Sequence, residues 1–177
     1  MRKWSFKKLL IIKNFILIFI LIISTYIGFY KSKEYIKRVE ELKKYENALN
    51  MFKAKIEFTY APIKEIFENI SKSIYQNQNN IFKMTIENLK YKDISEVWIN
   101  SIENYDGSLN KEDKEIIKMF GKLLGKTDKN GQISEIKLSQ NFIEAQIEKA
   151  EIEKLKNVKL YRSLGIIVGL GIIVIFI

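Results

Sequence analysis

The chain has 177 residues, of which 47% are hydrophobic, and a formal net charge of +9 from 30 Lys/Arg and 21 Asp/Glu. It contains no cysteine and no histidine, which excludes a thiol nucleophile, a disulfide framework, a cysteine or histidine zinc site and an imidazole base. One proline and eight glycines are more typical of a helical protein than of a β-rich one.

The distribution of charge argues against a nucleic-acid ligand. Residues 1–13 carry five cations and no acid, whereas residues 31–162 hold 25 cations and all 21 acids, a net charge of +4. That mixture is typical of a solvated surface rather than of a stripe that follows phosphates. Only three of the cations are arginine, the residue favoured for contacts with phosphates and base edges. We therefore predict no nucleic-acid partner.

A basic segment over residues 1–8 leads into a predicted membrane helix over residues 9–30. Residues 15–30 carry no charge, and the whole helix is long enough to cross ~30 Å of hydrocarbon. A cleaved signal peptide is the alternative. However, bulky aromatic residues in the stretch STYIGFY stand where a cleavage site requires small ones. The pattern favours an uncleaved anchor.

Residues 31–162 have helical periodicity throughout and predict an all-α cytoplasmic domain of about six helices. Apolar residues at three- and four-residue steps prolong the first span as a stalk over residues 31–58. A turn from Thr59 to Pro62 ends this helix, and Pro62 is expected to be the first residue of the next one.

Four further helices follow in the predicted order. The first of these covers residues 81–89. Asp93 is expected to cap the helix after it, and Asn110 the next one, whose positive end also has Asp113 nearby. The last helix begins near Gly131. Because the total is even, the chain returns to the membrane face that it left.

The segment GKLLGKTDKNGQ, residues 121–132, contains Gly-Lys-Thr and partly matches a phosphate-binding loop. Such a loop has four residues between its first glycine and the Gly-Lys-Ser/Thr, and it follows a buried strand. Here only three residues separate Gly121 from Gly125, and the preceding residues have helical periodicity. We predict instead that a helix ends at Gly125 and that residues 128–131 form a turn.

The C-terminal residues 163–177 are apolar to the last position and predict a second transmembrane helix. Gly165 and Gly169 have G-x-x-x-G spacing, and Gly171 adds a third small residue. Small residues at that spacing allow two membrane helices to approach closely, and the partner would be the first span or a neighbouring membrane protein. Alternatively, the glycines only relieve crowding among β-branched neighbours.

The charges beside the second span predict its orientation. Lys154, Lys156, Lys159 and Arg162 precede the span and no charge follows it, so the positive-inside rule places residues 31–162 in the cytoplasm. The first span has basic residues on both sides, and both full insertion and an interfacial position remain open.

No group of residues predicts catalysis, a metal ion or a cofactor. The acidic pairs Glu112/Glu115 and Glu144/Glu148 have lysines at helical spacing, which predicts surface ion pairs. Trp98 is expected in the hydrophobic core.

Four stretches together resemble the stage III sporulation protein AB family of endospore-forming bacteria. They are STYIGFYKSKEY, AKIEFTYAPIKEIF, EDKEIIKMFGKLLGKTDKNGQ and KNVKLYRSLGIIVGLGIIVIFI, and the likeness extends over about residues 12–177. The turn at Thr59 and Pro62 is one marker. The most specific is a Gly-x-x-Leu-Gly-x-x-Asp-x-x-x-Gln pattern, matched by Gly121, Leu124, Gly125, Asp128 and Gln132. A longer basic N-terminus and a lysine-rich surface depart from the family.

The resemblance implies a non-catalytic platform or adaptor in the mother-cell membrane that faces the forespore. Such proteins are similar to the inner-membrane platform proteins of type II secretion and type IV pilus machines, where a helical cytoplasmic bundle couples a separate ATPase to the membrane assembly. The implied partners are the AA-type cytosolic ATPase of the same complex, the other membrane proteins of the sporulation channel complex, and the lipid bilayer. A homo-oligomer is also open.

Two alternatives to the platform remain. One is a membrane-tethered helical scaffold without an ATPase partner. The other is an NTPase that uses Gly125, Lys126 and Thr127, against which the loop spacing argues.

Overall fold

The computed structural model of the chain describes residues 2–59, 61–76, 78–89, 93–122, 124 and 126–176, with side chains from residue 11 onward. Over these residues the structure is helical and contains no strand, which confirms the all-α prediction. The six helices are α1 (Arg2–Phe58), α2 (Ile63–Ser73), α3 (Ile81–Asn88), α4 (Ile94–Glu103), α5 (Lys111–Lys122) and α6 (Lys129–Phe176).

The chain forms two compact units, and α1 and α6 contribute residues to both. The membrane-type unit comprises Met1–Lys37 and Ile152–Ile177, and the bundle unit comprises Arg38–Glu151. Their charges differ sharply. The bundle unit has 18 Lys/Arg against 19 Asp/Glu, a net charge of −1, whereas the membrane-type unit has 12 against 2, a net charge of +10. The whole positive charge of the chain therefore belongs to the membrane-type unit.

A cluster of six aromatic rings forms the centre of the bundle unit. Trp98 is fully buried and packs in tilted or edge-on orientation against four of the other rings, with centroid separations from 5.2 to 6.4 Å. Each of α1 to α5 contributes at least one ring, so burial of this cluster ties five helices together. The six residues are Tyr45, Phe52, Phe67, Phe82, Trp98 and Phe120.

Polar side chains at the helix starts satisfy backbone groups that would otherwise lack partners. Asn80 caps α3 by accepting a hydrogen bond from the backbone N–H of Lys83, and Asp93 caps α4 by accepting one from that of Ser95. The cap predicted at Asp93 is thus confirmed. Each such cap stabilises a helix by ~1 kcal/mol, which is significant for helices of eight and ten residues.

The helix boundaries differ from the predicted ones at three places. Pro62 is the N-cap of α2 rather than its first residue, because its ψ of 144° is extended. Helix α5 ends at Lys122, three residues before Gly125, which lies outside the described residues. The turn predicted over residues 128–131 is wrong, since Lys129 begins α6.

Asp128 explains why residues 129–131 are helical despite their turn-like composition. Its Oδ1 accepts a hydrogen bond from the N–H of Gly131 at 2.9 Å, and its carbonyl accepts one from the N–H of Gln132 at 2.9 Å. The Asp-Lys-Asn-Gly sequence is therefore an N-cap followed by a first helical turn, and short polar residues are typical of both turns and caps.

Gly121 gives Trp98 the space that it needs. A Cβ at this position would collide with the indole Cδ1 of Trp98. The same contact is held by two hydrogen bonds, from Trp98 Nε1 to the carbonyl of Ile117 at 2.9 Å and from Ser95 Oγ to the carbonyl of Gly121 at 2.6 Å.

We predict that Gly121→Ala destabilises the full chain by ~1–3 kcal/mol, because overpacking moves Trp98 out of the aromatic cluster. The sign of the change in unfolding free energy is diagnostic, because a glycine-to-alanine change inside a helix otherwise stabilises the protein by roughly 0.5–1 kcal/mol. Thermal unfolding in detergent, followed by circular dichroism, measures the change. Lys122→Ala at the adjacent exposed position is the control, and equal stability of the two variants would contradict the packing role.

Candidate functional site

The residues of the Gly-x-x-Leu-Gly pattern form the corner between α5 and α6. Gly121 packs against Trp98, Leu124 is buried in the hydrophobic core, and Asp128 caps α6. Gln132 holds the corner closed, because its Nε2 donates a hydrogen bond to the carbonyl of Thr127 at 3.0 Å. Four of the five predicted motif residues thus determine backbone geometry, and Gly125 lies outside the described residues.

The surroundings of this corner differ from those of a phosphate-binding loop. It follows helix α5 rather than a strand, as the sequence predicts. The side chain of Lys126 points to a carboxylate, with Nζ 3.9 Å from Asp93 Oδ2. A helix does begin at Lys129, contrary to the turn prediction, but the one-residue shortfall in the loop remains.

A buried ion pair joins α1 to α5. The Arg38 guanidinium donates to both oxygens of Asp113, from Nε at 2.8 Å and from Nη2 at 3.0 Å, and Asp113 is fully buried. Arg38 Nη2 also donates to Gln146 Oε1 on α6 at 3.4 Å. This two-pronged geometry is the strongest that an arginine and a carboxylate can form.

Asp113 has a second role at the start of α5. Its Oδ2 accepts a hydrogen bond from the N–H of Asn110 at 2.9 Å, while Asn110 Oδ1 accepts one from the N–H of Asp113 at 2.8 Å. This reciprocal arrangement is a capping box, so the predicted cap at Asn110 is confirmed. Because the same carboxylate also binds Arg38, the start of α5 is fixed to α1.

Tyrosines surround Glu41 beside a cavity of about 10 Å³ in the bundle unit. Burial, together with the charge and hydrogen bond of Glu41, raises the pKa of Tyr105 to about 12. Burial also raises the pKa of Tyr45 and of Tyr75. A tyrosine hydroxyl is already protonated at neutral pH, and these shifts make ionisation harder still, so the three hydroxyls are poor general bases. Glu41 Oε1 instead holds the loop before α5 by accepting from the N–H of Ser108 at 2.9 Å.

Helices α1 and α6 are each long and apolar enough to cross a membrane, judged by length and composition. Only 11% of the most apolar window of each is buried. In a soluble protein such windows would expose a large apolar surface to water, which is rare outside interaction sites.

The two helices approach each other closely in the membrane-type unit. A Cβ on Gly28 would lie 2.5 Å from the carbonyl oxygen of Tyr161, and one on Gly165 would lie 2.7 Å from that of Ser24. A Cβ on Gly169 would collide with Ser24 Oγ, whereas one on Gly171 would meet nothing within 4 Å. Gly165 and Gly169 therefore face α1, and Gly171 does not.

Three small residues on α1 face two glycines and an arginine on α6. Ser24, Gly28 and Ser32 recur every four residues and are opposed in antiparallel order by Gly169, Gly165 and Arg162. The sequence prediction overlooked the α1 partners, although their i, i+4 spacing is the same signal that identified Gly165 and Gly169.

The predicted surface ion pairs are found for one of the two acidic pairs. Glu112 binds Lys149 and Glu115 binds Lys118, both at 2.8 Å and both with exposed carboxylates. Within the described part of the chain, Glu144 and Glu148 form no ion pair. The same residues contain no group of three or more metal-binding side chains.

Together these features define an all-α protein with two candidate membrane-spanning helices and a compact helical bundle held by a buried ion pair and an aromatic cluster. Comparison with known proteins then identifies its family. The model of the Stage III sporulation protein AB family matches residues 13–177. The chain therefore belongs to this family, as its sequence motifs predict.

Two relatives agree with this assignment. Stage III sporulation protein AB of Bacillus subtilis (strain 168) is 31% identical over 162 residues, which cover 89% of this chain and 95% of that protein. A solved structure of Stage III sporulation protein AB (SpoIIIAB) has a TM-score of 0.60 and 25% identity, and covers 68% of this chain and 98% of that structure. Family and fold thus lead to the same conclusion.

The sequence prediction missed the ion pair between Arg38 and Asp113, which are 75 residues apart. Arg38 is one of the basic residues that follow the first span, and from the sequence Asp113 is recognised only as a charge near the start of α5. A local signal did exist, because Arg38 falls on the same helical stripe as the apolar residues Val39 and Leu42, on the buried side of α1.

We predict that Asp113→Asn destabilises the chain by ~3–5 kcal/mol, because it leaves a buried guanidinium without its counter-charge. The double variant with Arg38→Met should recover part of that loss, since it removes the isolated charge. Chemical unfolding in detergent measures both. The exposed Glu112→Gln is the matched control, expected to cost less than ~1 kcal/mol. A single Asp113 variant as stable as this control would contradict the structural role of the pair.

We also predict that Gly165→Leu separates the two long helices, because its side chain would occupy the space of the Ser24 carbonyl. Gly171→Leu, which meets no neighbour, should have no such effect. The measurement is the yield of a disulfide cross-link between cysteines introduced at Tyr35 and Tyr161. The rings of these two residues stack with centroids 5.7 Å apart, and the chain has no other cysteine. We expect Gly165→Leu to lose most of the cross-link and Gly171→Leu to keep it. Equal yields in the two variants would refute the close approach of the helices.

Proposed function

We propose that this chain is a non-catalytic membrane platform of the sporulation complex between mother cell and forespore, coupling a cytosolic ATPase to membrane components. Membership of the Stage III sporulation protein AB family, together with two candidate membrane helices beside a compact bundle, is the observation that carries the proposal.

The contacts of the family motif support a structural rather than a catalytic role. Gly121, Leu124, Asp128 and Gln132 set the packing and capping of the α5–α6 corner, and the cavity that Leu124 and Gln132 line has a volume of only about 10 Å³. A catalytic motif would be expected to place a nucleophile or an acid–base pair beside a pocket.

The charge distribution supports a cytosolic location for the bundle unit. Basic residues of α6 directly precede its apolar C-terminal segment, and such residues are retained on the cytoplasmic side. A nearly neutral bundle unit adds no opposing bias. The bundle would thus be accessible to a cytosolic ATPase.

We expect the full chain, tagged and solubilised from sporulating cells, to recover the cytosolic ATPase of the same complex. Membranes from cells that lack the chain serve as the control for non-specific recovery. Recovery of the chain alone, or only of further copies of it, would contradict coupling and favour a membrane-tethered helical scaffold without an ATPase partner.

A further inference from the structure

An open crevice in the membrane-type unit combines apolar walls with a basic rim. It has a volume of about 570 Å³. Its lining residues are Ile36, Lys154, Leu155, Val158, Lys159, Arg162 and Ser163. Three of these seven residues are cationic, and none is acidic.

One cation of this crevice is held rigidly. Arg162 Nε donates to Ser32 Oγ at 3.2 Å, and the guanidinium carbon lies 4.9 Å from the centroid of the Phe29 ring. Among the described residues no carboxylate binds Arg162, so its charge is fixed in position but not neutralised. A pre-positioned guanidinium is well suited to a phosphate, which it can bind through two parallel hydrogen bonds.

Lys159 adds a second charge close to the first. It is exposed and forms no ion pair within the part of the chain that the structure describes. Both cations lie beside apolar residues of the crevice, Leu155 and Val158 among them. Ser163 adds a hydroxyl that can donate a hydrogen bond.

The position of the crevice indicates which anion it meets. Lys159 precedes the start of the apolar tail at Ser163 by four residues, which is about 6 Å along a helix. The headgroup layer on each side of a bilayer is roughly 5–8 Å deep. If α6 crosses the membrane as proposed above, Lys159 and Arg162 therefore lie at the depth of lipid phosphates.

We propose that this crevice binds the phosphate of an anionic phospholipid, with Arg162 and Lys159 as its cationic ligands. The site is distinct from general attraction of a basic segment to a charged membrane. In the proposed site, the lipid is bound by the residues that line the crevice, whereas general attraction depends only on the net charge of the segment. It rests on the membrane placement of α6 but not on coupling to an ATPase.

The chain provides a matched pair of variants that separates these possibilities. Lys159→Gln and Lys156→Gln remove the same charge from exposed positions one turn apart on α6, but only Lys159 lines the crevice. Arg162 is a poorer choice, because its replacement also removes contacts with Ser32 and Phe29.

The test is native mass spectrometry of the full chain in detergent with added phosphatidylglycerol or phosphatidylcholine. We expect one phosphatidylglycerol to bind in preference to phosphatidylcholine, with about fivefold weaker binding in Lys159→Gln and little change in Lys156→Gln. Equal binding of the two lipids, or equal losses in the two variants, would overturn the site. Recovery of the ATPase is independent of this result, so each proposal can fail alone.

Discussion

The bundle depends on one contact, the seating of the Trp98 indole against the backbone of α5 at Gly121. That ring meets aromatic neighbours from α1, α2, α3 and α5, and its N–H group is satisfied by the carbonyl of Ile117. A buried indole stabilises a core only when its polar group has a partner and its faces are filled. Both conditions are met here because position 121 has no side chain. Packing against Trp98 therefore explains the first glycine of the family motif, Gly121.

The second constraint is electrostatic. The bundle unit is nearly neutral, and the fully buried carboxylate of Asp113 is matched by Arg38 and by the start of α5. A buried pair of this kind adds little net stability compared with apolar residues, but it is costly to break, so it favours one arrangement of α1 and α5 over others. The membrane-type unit follows the opposite rule, with a large excess of cations beside the apolar segments of α1 and α6. These two patterns suit an aqueous and a lipid environment respectively.

Periodicity and composition were sufficient to predict the helical class, the order of the elements, the caps at Asp93 and Asn110, and the core position of Trp98. They failed where local sequence has two solutions, as in Asp128 to Gly131, because cap residues and turn residues are the same types. They also failed for the contact of Gly121 with Trp98 and the pairing of Arg38 with Asp113. Each joins residues far apart in sequence, and the spacing of a single helix contains no information about its partner. Spacing identifies Gly165 and Gly169, and it also marks Ser24 and Gly28 as small residues on one face of α1, but only the fold shows that the two sets oppose each other.

The central claim is that two long helices hold the bundle at the cytosolic face of a membrane. The most direct measurement is maleimide labelling of a Ser108→Cys variant expressed in vegetative cells, where the protein inserts into the plasma membrane. The natural chain has no cysteine, so the reagent can react only at this position. A reagent that cannot cross membranes should label this position only after the cells are opened. Equal labelling in intact cells would put the bundle on the outer face and contradict the account.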